Sequence, residues 1–190
     1  MLMRILAIAA SLMMPLAFAG DSLLGKRLAD LSILDRGELV LAGDEVTYQP
    51  WRYPQEPGRV HVVQYLAATQ AASEINEAFT DRMKTDLPQG QFLSTTIVNL
   101  DEAMWGTGGF VVSKLKSNKL QFPGAVLVAD ADGLGRKQWQ LEKKSSAVIV
   151  ADPSGLVRFF KQGAMSAEEI ESTLAMVKNY IVGAEIPPAP

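Results

Sequence analysis

Residues 60–79 read VHVVQYLAATQAASEINEAF, and this stretch decides the fold. Val60 to Leu66 is apolar on both alternations, with Val60, Val62 and Leu66 on one side and Val63 and Tyr65 on the other. That pattern suits a strand covered on both faces, as a parallel sheet requires. The period then changes. Ile75, Phe79 and Met83 recur at i, i+4 and i+8, which predicts an amphipathic helix running on from the strand. Leu87-Pro88 stops it, because proline disfavours helical geometry in the residue before it. Phe92 to Leu100 is rich in Thr, Ile and Val and reads as the next strand. Strand, helix and strand together make a βαβ crossover, which is nearly always right-handed.

Upstream, Leu31 to Leu34 and Leu39 to Leu41 flank Asp35-Arg36-Gly37-Glu38, which predicts a hairpin turning at the glycine. Thr47 to Gly58, TYQPWRYPQEPG, carries three prolines and three aromatics. The prolines exclude a central strand. An ordered loop is expected, with Tyr48, Trp51 and Tyr53 packed onto the body; an aromatic ligand platform is the alternative. Downstream, the glycine-rich Trp105 to Gly109 precedes a helical run from Phe110 towards Leu120, which Pro123-Gly124 breaks. Ala125 to Ala129 reads as a strand turned by Asp132-Gly133. Ala147 to Ala151 and Leu156 to Phe160 form an antiparallel hairpin around Asp152-Pro153-Ser154-Gly155. In the last helix Ser166 and Glu169 make a capping box, with Met165 and Ile170 as its staple. Ile170, Leu174, Val177 and Ile181 line its buried face, and Gly183 ends it.

The N-terminus is a separate matter. Met1 to Arg4 is a short charged region, Ile5 to Leu16 is apolar apart from Ser11, and Ala17-Phe18-Ala19 is a small-x-small cleavage pattern. Residues 1–19 therefore read as a secretory signal peptide. The apolar run is short of the roughly 20 residues a transmembrane helix needs. Removing 19 residues leaves 171, enough for one domain over residues 20–183 and a flexible tail over residues 184–190. Cleavage also removes Arg4, leaving 17 Lys and Arg against 21 Asp and Glu, a charge of −4. A periplasmic, soluble product is expected, without stable membrane insertion. Its acidic, mixed charge argues against a nucleic-acid partner.

Several chemistries are excluded by residue type. The chain has no cysteine, so it runs no thiol chemistry and is held by its core alone. His61 is the only histidine; it lies inside the first core strand with no nucleophile motif nearby, and a packed role is expected. One histidine without cysteine makes no zinc site of the usual kinds. Asp130, Asp132 and Asp152 lack the spaced ligands of a calcium loop and read as turn residues. Gly106-Thr107-Gly108-Gly109 lacks the lysine of a phosphate loop and reads as a tight entry to a helix. No metal and no cofactor are expected.

The element order is thioredoxin-like: an α/β, three-layer fold with a central mixed β-sheet, flanking helices and an added N-terminal β-hairpin, as in peroxiredoxin relatives. More specifically, the sequence resembles the YtfJ family of Gram-negative periplasmic proteins. The resemblance rests on Asp35 to Leu41, Thr95-Thr96-Ile97-Val98-Asn99, and Asp101-Glu102-Ala103 leading to Gly106-Thr107-Gly108. It continues through Trp139-Gln140-Leu141, Ser145-Ser146-Ala147-Val148 and Gly163-Ala164 with Ser166 and Glu168-Glu169. It implies an exported, thioredoxin-like protein without an established activity. A transcriptional-regulator label sometimes attached to the family does not fit a chain with neither a basic stripe nor a helix-turn-helix. Where relatives tend to carry a basic run after the first core strand, this chain has Ala68-Thr69-Gln70-Ala71-Ala72-Ser73-Glu74, without the basic residues.

In a thioredoxin-like enzyme the cysteine would occupy the turn at Ala67 to Gln70, and a cis-proline would occupy the position of Ser146. Both devices are missing. The expectation is a non-catalytic binding module that grips a protein or peptide partner through Thr69, Asn99, Asp101, Trp105, Ser145 and Ser146. The alternative is a non-redox enzyme that uses the hydroxyls and carboxylates of the same face.

Overall fold

A computed structural model describes residues 23–183; the signal peptide and the C-terminal tail expected above lie outside the described residues. The strands are β1 (Leu31–Ala42), β2 (Glu45–Tyr53), β3 (His61–Ala67), β4 (Leu93–Asn99), β5 (Val126–Asp130), β6 (Ser146–Ala151) and β7 (Val157–Gln162). The helices are α1 (Gln70–Glu74), α2 (Glu77–Asp86), α3 (Gly108–Gln121), α4 (Leu134–Gln138) and α5 (Ala167–Ile181). All seven strands join one sheet in the order β2-β1-β5-β4-β3-β6-β7. Pairing is parallel from β3 through β4 to β5 and antiparallel elsewhere.

β3 is the centre, as its double-sided apolar pattern predicts. It pairs with β4 on one side and β6 on the other. Val63 and Tyr65 point into a core with Trp51, Ile97, Val128, Trp139 and Ile149. Val62, on the opposite face, meets Phe79 and Met83 of α2 and Leu174 and Val177 of α5. On that same face Val98 and Ala129 pack against Leu115 of α3 and Leu39 of β1. α5 is built as its sequence predicts: Ser166 Oγ accepts from the Glu169 N–H while the Glu169 carboxylate accepts from the Ser166 N–H.

Three local expectations are corrected. The hairpin exists, but Asp35 to Glu38 is not its turn. β1 runs straight through as a bulge, with the β1–β2 register shifting between Ile33 and Glu38. Gly37 and Glu38 there pair with β5 on the other side. Thr47 to Tyr53 is strand, not loop: β2 lies at the sheet edge, where proline is tolerated. Pro50 falls opposite the bulge, between the paired Gln49 and Trp51. Trp51 and Tyr53 are buried in the core, which excludes an aromatic platform for ligands at those two.

The helix after β3 is broken between Glu74 and Glu77, and Ile75 is exposed. The packed face instead runs Ala72, Asn76, Phe79, Met83. A further short helix, α4, follows β5. Its five residues are too few to carry a periodic signal.

Gly37 has φ +74°, and a Cβ there would overlap the Gln49 carbonyl oxygen. Gly37→Ala is expected to destabilise the fold by about 2–4 kcal/mol. Gly43→Ala, also at positive φ but facing open space, should cost only about 1 kcal/mol. Urea unfolding of the two variants measures the difference.

Candidate functional site

The parallel strands all end at one edge of the sheet, the place where open α/β sheets bind ligands. Register brings the expected residues there. Ala67 pairs with Asn99, Asn99 with Asp130, and Leu66 with Ser146. The turn leaving β3 is stitched on both sides: the Ala67 N–H donates to Ser145 O and the Ala68 N–H to Asn99 O. Thr69, Asn99, Asp101, Ser145 and Ser146 therefore share this edge, and Trp105 stands on the loop just beyond it.

They do not share one environment. Thr69 is half-buried and caps α1, its hydroxyl accepting from the Ala72 N–H at 3.2 Å. Asn99 is fully buried; its Oδ1 accepts from the Asp101 N–H at 3.1 Å, and its Nδ2 has no partner. Asp101 is exposed and Ser145 half-buried. Ser146 is only 1% exposed and accepts from Asn76 Nδ2 at 3.2 Å. It is therefore an interior residue, which corrects its reading as part of a gripping surface.

Asn76 was missed by the sequence reading and organises this region. It is buried at the break between α1 and α2. Its Nδ2 also donates to Gly163 O at 3.0 Å, and its Oδ1 accepts from the Met165 N–H at 2.9 Å. One amide thus ties the helix break to β6 and to the entry of α5. A polar residue on the phase of Phe79 and Met83 was the available signal.

Asp130, read as a turn residue, is buried and fully used. Its carboxylate accepts from the N–H groups of Leu134 and Gly135 at the start of α4, and from Tyr65 Oη at 2.7 Å. Burial, with Asp130 alongside, pushes the Tyr65 phenol well above its usual range. Glu102 accepts from the Lys144 N–H at 3.1 Å and lies 3.6 Å from Arg136 Nε. Gln140 and Lys144, in the loop from α4 to β6, are the non-glycine residues at positive φ among those described.

The loop after β4 is bonded within itself, the Thr107 N–H and hydroxyl both donating to Met104 O, yet it leaves large apolar side chains in solvent. Asn99 caps a short 3₁₀ turn over Leu100–Glu102, and the chain then swings out through Met104, Trp105 and Gly106 into α3. Met104 is 68%, Trp105 101% and Phe110 74% exposed. Gly106, at φ +81°, allows the tight entry to α3 expected of this run.

His61 lies at the opposite end of β3, 4% exposed, with Nε2 2.9 Å from Thr95 Oγ1 and its ring stacked on Tyr53. Burial, and then the nearby Arg59, lower its pKa from 6.5 to about 4. It is a packed histidine with no access to the edge.

Comparison with known proteins places this geometry. The model of a family described as "Bacterial protein of unknown function (YtfJ_HI0045)" matches residues 23–180. An Escherichia coli (strain K12) relative, "Uncharacterized protein YtfJ", is 37% identical over 181 residues, covering 95% of this chain and 98% of the relative. Among solved structures, the thioredoxin domain of a Bacteroides vulgatus thiol-disulfide oxidoreductase superposes with a TM-score of 0.54 at 10% identity, covering 82% of this chain and 98% of that one. A reduced 2-Cys peroxiredoxin of Plasmodium vivax gives 0.53 at 13%, covering 84% and 98%. The fold is thioredoxin-like.

Two outcomes follow from the bonding. Asn76→Ala removes three hydrogen bonds and leaves buried groups unpaired, so it should destabilise the protein by about 2–4 kcal/mol in chemical unfolding. His61 takes its proton in the unfolded chain near pH 6.5 but in the fold only near 4. Its contribution is therefore intact above pH 6.5 and falls by about 1.4 kcal/mol per unit as pH drops towards 4. Urea midpoints of the wild type should decline between pH 7 and 5, and His61→Gln should flatten that part of the profile.

Proposed function

The chain belongs to the YtfJ family, and from that premise we propose that it is an exported periplasmic binding module that holds a protein partner without chemistry. One observation carries this reading. The edge where a thioredoxin-like enzyme would keep its thiols has its hydroxyls tied up internally, while Met104, Trp105 and Phe110 stand in solvent beside it. Ser146 is an interior acceptor, Thr69 a helix cap, and Asp130 saturated by three donors. No poised nucleophile or base remains among them, which weakens the reading as a non-redox enzyme. Large apolar side chains left in water can mark interaction sites, and tryptophan is prominent among interface anchors. Of the expected contact residues, Asp101 is exposed and Thr69 and Ser145 are half-buried at this end of the sheet, whereas Asn99, like Ser146, is buried and offers a partner no surface. Export is supported by the signal-peptide pattern of residues 1–19.

The test is crosslinking in intact cells. A photo-reactive residue replaces Phe110, keeping Trp105, with a control at the exposed Asn179 of α5. A discrete adduct is expected from position 110 alone, and Trp105→Ala should abolish it while shifting stability by less than about 0.5 kcal/mol. Absence of an adduct under every growth condition, or the same adduct from both positions, rules the reading out.

A further inference from the structure

We propose that the cleft between α2 and α3 is a binding site for a short neutral oligosaccharide. This site stands apart from the Trp105 surface and does not rest on the reading given for it. The cleft encloses about 1040 Å³. It exists because α2 packs towards α5 whereas α3 packs towards β1 and β2, which leaves Thr96 of β4 open between Ser94, touched by Met83 Sδ of α2 at 3.8 Å, and Val98, packed against Leu115 of α3. Its floor is made by Leu66, Ser94, Thr96 and Leu127, all half-buried.

The composition of that floor is the argument. A central strand between parallel neighbours is ordinarily apolar on both faces. β4 instead presents Ser94 and Thr96 towards the cleft, while Thr95 and Ile97 serve the opposite face. Asn118 and Gln121 of α3 add amides along one wall, while Thr80 on the other wall already donates its hydroxyl to Gln64 Oε1 at 2.9 Å. Hydroxyls and amides alternating with Leu66 and Leu127 match a pyranose, whose rim is hydroxylated and whose ring faces are apolar. The Lys84 ammonium sits over one face of the Phe122 ring, 5.7 Å from its centroid, which leaves the other face of this exposed ring at the lower lip for stacking. The floor spans about 7 Å along β4, from Ser94 to Thr96, and about 10 Å across β3, β4 and β5, room for one or two sugar units.

Other ligand classes fit less well. The charged residues on α2 and α3, including Glu77, Asp81 and Lys114, are exposed on the rim. Arg59, half-buried at one end, is already bonded to Glu56, Gly90 O and Phe92 O. A phosphorylated or strongly ionic ligand would find no free charge on the floor. An extended peptide would seek a strand edge, and β4 has none, being paired along its length with β3 and β5.

The test is NMR titration of the isotope-labelled mature chain with cellotetraose, chitotetraose and tetra-alanine in parallel. Amide shifts confined to Ser94, Thr96, Asn118 and Phe122 are expected with at least one sugar at millimolar concentration. Which sugar binds separates a plain hexose chain from an N-acetylated one. Thr96→Val combined with Asn118→Ala should weaken that binding about tenfold. Overall spectral dispersion reports whether the double variant remains folded, and Phe122→Ala gives an independent loss if it does not. No shift with either sugar, shifts lying outside the cleft, or an equal response to tetra-alanine would overturn the proposal. Crosslinking from position 110 reads a different surface, so the two proposals fail separately.

Discussion

β3 has no free edge and is buried on both faces except at Leu66, and the rest of the molecule is placed by that fact. From His61 to Leu66 each residue pairs with β4 on one side and β6 on the other. The two ladders leave no freedom over where Asn99 and Ser146 finish: both must arrive beside the turn that leaves β3. That turn is the reactive position of a thioredoxin-like enzyme, and here it is closed instead. Backbone bonds from Ala67 and Ala68 fasten it to Ser145 and Asn99, Thr69 caps the helix, and Asn76 reaches across to Ser146, Gly163 and Met165. The space that thiol chemistry would occupy carries a polar network that fixes the geometry of β6 and α5. Such networks stabilise only when each member is satisfied, and the Asn76 amide meets that condition.

The parts of the fold legible from sequence are those with a long or double signal. β3 shows apolar residues on both alternations, and α5 has a capping box followed by four turns of matched periodicity. The β6–β7 hairpin is announced by Asp152, whose carboxylate accepts from the N–H groups of Ser154 and Leu156. What was not legible depends on partners remote in sequence. Nothing local distinguishes Asp35 to Glu38 as a bulge from the same residues as a hairpin turn. The distinction is made by β5, which pairs with Gly37 and Glu38. Pro50 lies in a strand because β2 is an edge strand, a fact of sheet order rather than of the TYQPWRY segment.

The candidate site was legible to a similar depth. Position along the ladder follows from strand assignment, so Asn99, Ser145 and Ser146 could be placed at one edge from sequence. Exposure does not follow in the same way. Ser146 is an inward-facing residue of a strand buried along its whole length, while Trp105 owes its exposure to a loop around Gly106 that holds it off the body. The phase of the helix after β3 was misread by one residue. Ile75, Phe79 and Met83 fit a helical face as well as Ala72, Asn76, Phe79 and Met83 do, and hydrophobicity alone favours the first. The second wins because Ser146 Oγ, the Met165 N–H and the half-buried Gly163 O all need the Asn76 amide, and leaving them unpaired costs more than exposing one isoleucine.

β4 shows how one seven-residue strand can serve surfaces that do not communicate. Ile97 is core, and Thr95 holds His61 in place by a single hydrogen bond. Asn99 at its end caps the turn from which Trp105 projects. Ser94 and Thr96, alternating with these, floor the cleft on the other side. Alternation in a strand is obligatory, so this division follows from the order of residues in LSTTIVN and needs no movement of the backbone. A chain relieved of redox chemistry at the strand-to-helix turn still presents two separate surfaces on a rigid sheet. One is apolar and next to the closed edge. The other is concave, neutral and lined by hydroxyls and amides. The two surfaces differ in chemistry for that reason alone.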